Sequence, residues 1–272
     1  MNAGETIRPL QPADLTGLAG MRPDGWRTEP AELFAFHLGQ PYFHPIVADV
    51  DGAIAGCAEA LVQGNAGWLG SIIVRPEYRG RGLGLALTRR LVDIIRSQGC
   101  ESQVLIATPM GRPVYEKLGF TVESEYIFLK NDSPRPVSSS ENLRSLESDD
   151  VDALLALDRS STGESRGPFL RRHLDGGLIH TDSRDQIDGF FLPALGEGLI
   201  VAEEESAGLA LLQHKLSLGA AQVVVPDANA TALRFLQGHG FNETFRAPRM
   251  TLDRRVDWQP EKIFSRAGGF CG

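Results

Sequence analysis

Apolar residues at Leu83, Leu87, Leu91 and Ile94 are spaced by four, four and three, which predicts one face of a helix ending at Gly99. Ahead of it, Pro45 to Asp49 and Gly52 to Val62 carry small and apolar residues on either side of Asp51-Gly52, the pattern of an antiparallel hairpin. Trp68 to Val74 reads as a further strand and Gln103 to Ala107 as a short buried one. Pro113 to Leu118 reads as a short helix and Phe120 to Leu129 as a closing strand. Strands dominate early and alternate with helices later, so the expected fold class is α/β (α+β), a mixed, mostly antiparallel sheet flanked by helices.

The pattern breaks between Asn131 and Asn142 (NDSPRPVSSSEN), where two prolines and four serines leave no apolar period. A linker at 133–142 would separate a first domain, 1–132, from a second, 143–272. The two halves echo each other. Arg8, Leu10, Asp14, Leu15 and Leu18 recur 136 positions on as Arg144, Leu146, Asp150, Val151 and Leu154. Each set reads as a strand followed by a capped helix. Gly119-Phe120 recurs 121 positions on as Gly240-Phe241, which points to a duplication with a shorter second copy.

Composition narrows the function classes. Lys plus Arg number 27 against 35 Asp plus Glu, a net charge of -8, so the overall field repels nucleic acid and anionic lipid. An anionic ligand needs a local site. No apolar run approaches the ~20 residues of a membrane span, and no leader pattern opens the chain, so a cytoplasmic address is expected. Cys57, Cys100 and Cys271 stand far apart, and the six histidines show no paired helical spacing, which argues against disulfides and against a metal site.

The local site is legible in Ser71 to Leu87 (SIIVRPEYRGRGLGLAL), a strand, a glycine-rich loop and the start of a helix. Glycines at 80, 82 and 84 let a ligand's oxygens approach the backbone, and the first helical N–H groups lack intrahelical acceptors. With Arg79 and Arg81 beside the positive end of the helix, the loop suits a pyrophosphate. A Walker loop is excluded, because no Gly-Lys-Ser/Thr follows Gly80. A dinucleotide fingerprint, which needs GxGxxG rather than GxGxG, and a plain turn with solvated arginines remain as alternatives.

Arg79-x-x-Gly82-x-Gly84, after Ile73-Val74-Arg75-Pro76-Glu77-Tyr78, resembles the acyl-CoA pyrophosphate loop of the Gcn5-related N-acetyltransferases. Ala107 to Phe120 (ATPMGRPVYEKLGF) resembles the motif that follows it in that family, and the resemblance spans residues 1 to about 130. It implies a GNAT fold, duplicated, with acetyl-CoA as co-substrate and no metal. It further implies that Ile72, Ile73 and Val74 offer backbone groups to the pantetheine arm, in the manner of an added strand. Within the loop Arg79, Gly80, Arg81, Gly82, Leu83 and Gly84, the pyrophosphate would rest on the amides of Arg81 to Gly84.

Tyr115, at the family's tyrosine position, is the implied acid for the departing thiolate. Its unperturbed pKa near 10 lies above the ~8.5 of a thiol, so geometry must assist the transfer. A base is needed as well, since a primary amine with a pKa of about 10.4 is protonated at pH 7. Trp68 to Val74 holds no Asp or Glu, which leaves Glu59 on the preceding strand as the candidate, with a plain solvent-facing carboxylate as the alternative. Glu77 reads as a loop residue, and His37 and His44 as surface or packing residues.

In the second half, Gly208 to Leu216 stands where the anion loop would be, and Phe235 replaces the tyrosine. Val223 to Pro226 reads as a strand leading to a helix capped by Asp227 or Asn229. Arg166, Arg171 and Arg172 either face an acidic acceptor or the adenosine end of the cofactor, or line a solvated helix. The expectation is a catalytic first domain that acetylates a primary amine of a small metabolite. The second domain is expected to have lost acyl transfer and to wall the acceptor cleft. A non-catalytic acyl-CoA sensor and a protein N-acetyltransferase are the alternatives. The pattern specifies no oligomeric state.

Overall fold

The computed structural model describes residues 4–26, 28–133 and 142–272. Most of the expected linker at 133–142 lies outside the described residues. The chain divides into two compact units: 1–121 with 250–255 and 269–271, and 122–249 with 256–268 and 272.

The first unit opens with β1 (Glu5–Pro9), a 3-10 turn at Pro12–Leu18 and α1 (Pro30–His37). β2 (Phe43–Val50), β3 (Ala53–Gln63) and β4 (Ala66–Val74) follow as an antiparallel meander. The β2–β3 turn is made by Asp51 and Gly52, both with positive φ (52° and 87°), the geometry that the Asp-Gly pair predicts. α2 (Leu83–Ser97) then crosses to β5 (Ser102–Ile106), which lies parallel to β4, and α3 (Arg112–Glu116) comes next. Leu83, Leu87 and Leu91 of α2 are buried with Ala58, Ala60 and Leu69, so the predicted stripe covers the sheet, but its last buried position is Ile95, with Ile94 only partly buried beside it.

The second unit begins with β6 (Thr121–Lys130), the strand expected to close the first half. β7 (Leu143–Ser145), α4 (Val151–Thr162), α5 (Gly167–Leu170), β8 (Leu178–Thr181), β9 (Ile187–Leu192) and β10 (Leu199–Ala202) follow. α6 (Glu205–Ser217), β11 (Gln222–Pro226), α7 (Ala230–Gly238), β12 (Asn242–Asp253) and β13 (Ile263–Ser265) complete the chain. Within this unit one sheet runs β13-β10-β9-β8-β7, and β6 pairs antiparallel with β11 and neighbours β12. The last residues of β12, from Met250, belong to the first unit and lie beside β5.

The sequence echo has a physical counterpart. Arg8 donates two hydrogen bonds to the Asp14 carboxylate at 2.7 and 2.9 Å, and Arg144 does the same to Asp150 at 2.6 and 2.8 Å. In each copy the Asp also accepts the backbone N–H three residues earlier, from Gln11 at 2.7 Å and from Glu147 at 2.8 Å. These charge-assisted bonds hold Asp14 and Asp150 below the usual carboxyl range, each chiefly through its arginine. Both Asp residues sit at the third position of a 3-10 turn; the turn at Pro12–Leu18 goes no further, while the one at Ser148–Asp150 runs on into the full helix α4.

Candidate functional site

The geometry around β4 follows from one irregularity. Cys57 pairs with Ile73 and Glu59 with Gly70, so β3 advances two residues while β4 advances three. The extra residue forms a bulge at Ser71, a non-glycine residue held at φ 44°, the sort of backbone conformation that clusters at functional sites. On its other side β4 pairs with β5 only from Ala66 to Trp68, opposite Ser102 to Val104. Past Trp68 the two strands part, and among the described residues the edge of β4 through Ile72, Ile73 and Val74 has no strand partner on that side. An extended chain with amide groups can add there.

The loop beyond this edge is built for an anion. Gly80 and Gly82 have φ of 79° and 85°, left-handed values that a side chain would strain, and open space lies where a Cβ would stand. Gly82 forms the left-handed entry to α2, whose first internal bond is Ala86 N–H to the Gly82 carbonyl at 3.0 Å. Among the described residues, the amides from Gly80 to Leu85 therefore meet no backbone acceptor. These donors at the positive end of a 15-residue helix fit a pyrophosphate. The two arginines are already engaged: Arg79 Nε donates to the Val74 carbonyl at 3.1 Å, and the Arg81 guanidinium lies 5.1 Å from the Tyr78 ring centroid. Arg79 thus ties the loop to the strand and leaves the main-chain amides as the donors an anion could meet.

Glu59 is fully buried on the central strand, not on a solvent face. Neither carboxyl oxygen closes a hydrogen bond; the Ser71 hydroxyl reaches toward it and favours its charged form without one of standard length. Burial wins, and the carboxyl is pushed up to about 8. Tyr115 is buried in the apolar cluster that also holds Ala107, Leu83 and Leu87, with Ile72 and Val74 packed against it. Its ring stands edge-on to Phe120 at 6.1 Å, and burial pushes its hydroxyl up to about 12, so it stays protonated. Glu77 is exposed in a 3-10 turn. His37 is buried, 3.1 Å from the Tyr42 hydroxyl, and His44 is partly buried, its pKa lowered by desolvation. Among the described residues, no cluster of His, Cys, Asp or Glu is arranged to hold a metal ion. No helix there is long and apolar enough to cross a membrane.

The corresponding place in the second unit is taken. By order along the chain β10, α6 and β11 match β4, α2 and β5. β13 pairs with β10 through Ile200–Ser265 and Val201–Ile263, and Arg266 N–H donates to the Val224 carbonyl of β11 at 3.0 Å. The chain's own strand thus occupies the gap that stays open in the first unit. Asn229, which caps α7 through Ala232 N–H at 2.8 Å, also donates to the Ile263 carbonyl at 3.1 Å. Gly208 is not in a loop: it lies inside α6, where a Cβ would sit 2.2 Å from the Phe264 ring. Glu203, Glu204 and Glu205 stand at the start of that helix, a charge unsuited to phosphate. Arg166 is buried against Asp158, with Nε to Oδ2 at 3.0 Å, rather than on a solvated helix face, while exposed Arg171 pairs with Asp152 at 2.8 Å.

Two features of the first unit carry no sequence signal. Gly70 lies opposite Glu59, and residues 269–271, brought from far along the chain, approach it. A glycine in a strand hints at close approach, but nothing near Gly70 in the sequence identifies what approaches.

Two family models match the chain: the acetyltransferase (GNAT) family over residues 13–120 and an acetyltransferase (GNAT) domain over 154–265. Glucosamine 6-phosphate N-acetyltransferase of Trypanosoma brucei brucei is 42% identical over 76 residues, which is 25% of this chain and 52% of that enzyme. The chain therefore spans about half the length of that relative. Glucosamine 6-phosphate N-acetyltransferase 1 of Oryza sativa subsp. japonica is 32% identical over 131 residues, 42% of this chain and 79% of that enzyme. The crystal structure of a putative acetyltransferase from Pyrococcus horikoshii shares the fold, with a TM-score of 0.86 at 20% identity, over 100% of this chain and 97% of that one.

Proposed function

This chain belongs to the GNAT acetyltransferase family, with one such domain in each half, and we propose that its first unit transfers an acetyl group from acetyl-CoA directly to a primary amine of a small metabolite. The observation that carries this reading is the open edge of β4 running into the unpaired amides of Gly80 to Leu85, with the buried Glu59 on the neighbouring strand. Bound acetyl-CoA supplies the activated acetyl group. Ile72 to Val74 hold its amide-bearing arm, and Gly80 to Gly84 its pyrophosphate.

The protein's own contribution is proton management. A carboxyl near 8 lies closer to an amine of about 10.4 than an ordinary carboxyl does, so the ionised fraction of Glu59, a minority at pH 7, takes the ammonium proton at a cost of about 3 kcal/mol and frees the nitrogen to attack. Tyr115, neutral throughout the working pH range, donates a hydrogen bond to the sulfur as the thiol departs. Direct attack transfers acetyl from sulfur to nitrogen with no acyl-enzyme, and the proton lost by the amine balances the one gained by the thiol.

The names of the aligned relatives make glucosamine 6-phosphate the first acceptor to try. Thiol release from acetyl-CoA is measured with that amino sugar, polyamines, amino acids and an N-terminal peptide, alongside calorimetry with coenzyme A. Release with a small amine supports the proposal. Heat of binding with no release from any amine favours the sensor, and release with the peptide alone favours protein acetylation.

A further inference from the structure

The segment Gly269–Cys271 belongs to the first unit, although the residues just before it belong to the second. A Cβ built on Gly70 would lie 2.3 Å from Glu59 Oε1 and 2.4 Å from Phe270 Cβ. Both atoms crowd one point, so the carboxyl and Phe270 are close neighbours on the same patch of β4. Only a residue without a side chain at position 70 lets both approach. Phe270 Cα, at 3.1 Å from that point, shows that the backbone of the segment itself lies on the strand.

From this juxtaposition we propose that Phe270 is a positioning residue for the first unit's chemistry: packed over Gly70, it keeps water from the Glu59 carboxyl and so sets the proton affinity of the base. The inference rests on the acyl-transfer reading for its purpose, but not for its geometry.

The surroundings of Glu59 leave few other controls. β2 sets Pro45 opposite it, β4 contributes Gly70 and the Ser71 hydroxyl, and its own strand contributes the Cys57 thiol. The segment contributes Phe270 and the neighbouring Cys271. Arg75 acts on Cys57 rather than on Glu59, and it is held by the carbonyls of Ile54 at 3.0 Å and Gly17 at 2.8 Å. With no cation among the described residues acting on it, burial governs the carboxyl, and whatever excludes water from Glu59 governs its titration.

The test is a titration of the Glu59 carboxyl by carbon-13 NMR in the full chain, the signal assigned by its loss in Glu59→Gln. The series is the parent protein, Phe270→Leu and Phe270→Ala, each checked by thermal melting and for coenzyme A affinity. The parent midpoint is expected near 8. Phe270→Ala should move it down by a pH unit or more, with Leu between, and the acid limb of the kcat/KM profile should follow while coenzyme A affinity holds. Should Ala prevent folding, the Leu shift carries the comparison. Midpoints that coincide across the folded variants overturn the proposal, as does a parent midpoint near 4.5. A moving midpoint in a protein that acetylates no amine leaves Phe270's role standing and removes the acyl-transfer reading. Robust acetylation with an unmoved midpoint does the reverse.

Discussion

Replacing Glu59 by Gln should make the protein more stable at alkaline pH and inactive at every pH. The carboxyl rises from an ordinary 4.5 to about 8 on folding, so the folded state keeps a proton that the unfolded chain gives up across that window. The sign follows. A raised carboxyl favours folding fully below about 4.5, and that contribution disappears as pH climbs to about 8. At about 1.4 kcal/mol for each tenfold change in proton affinity, the swing is roughly 5 kcal/mol. The amide introduced by Glu59→Gln would carry no charge and leave the same buried position without partners, so the variant and parent should match near pH 5. Guanidinium unfolding at pH 5, 7 and 9 measures the difference, taken on the transition that reports the first unit. A gap between variant and parent that widens by several kcal/mol with pH supports the reasoning. A gap constant from pH 5 to 9 refutes it, because Glu59 would then titrate alike in both states.

Four other expectations bear on the same picture. Tyr115→Phe should lower kcat by about tenfold to 10⁴-fold with coenzyme A affinity unchanged, as read by stopped thiol release and calorimetry. Gly82→Ala places a side chain at φ 85°, at a cost of about 1–2 kcal/mol, and should weaken coenzyme A binding by roughly tenfold in the same calorimeter. Calorimetry on the parent should find one coenzyme A per chain, since β13 fills the second unit's gap; two equal sites would contradict that. Asp158→Ala removes the carboxylate paired with the buried Arg166 guanidinium and should destabilise the second unit by about 3 kcal/mol in its melting, with first-unit catalysis retained below the transition.

Local pattern gave away much of the first unit. The α2 stripe, the Asp-Gly turn and the glycine spacing each encode their own geometry within a few residues, and all three appear as expected. The Arg–Asp clamp shows that the duplication was visible because a charged pair at fixed spacing recurs intact. Helix α1 and the strands β8 to β10 carried no such signature. β8 and β10 are short, and three of the four residues in α5 are Gly, Pro and Phe, so propensity and period say little there. The burial of Glu59 was illegible for a different reason. Its partners are Gly70, opposite it, and Phe270, some 200 positions away, and neither is encoded in the alternation of β3.

A chain emerging from the ribosome meets a consequence of that long-range supply. Residues 1–121 are synthesised well before Met250–Arg255 and Gly269–Cys271, which complete their unit. At roughly 5–20 residues per second, the interval is on the order of ten seconds. Throughout it the flank of β5 that β12 later covers lacks its neighbour, and Gly70, opposite Glu59, waits without the segment that carries Phe270. Nascent chains stalled shortly after residue 130 should therefore be held by chaperones and remain sensitive to protease, gaining resistance only when the last stretch clears the exit tunnel.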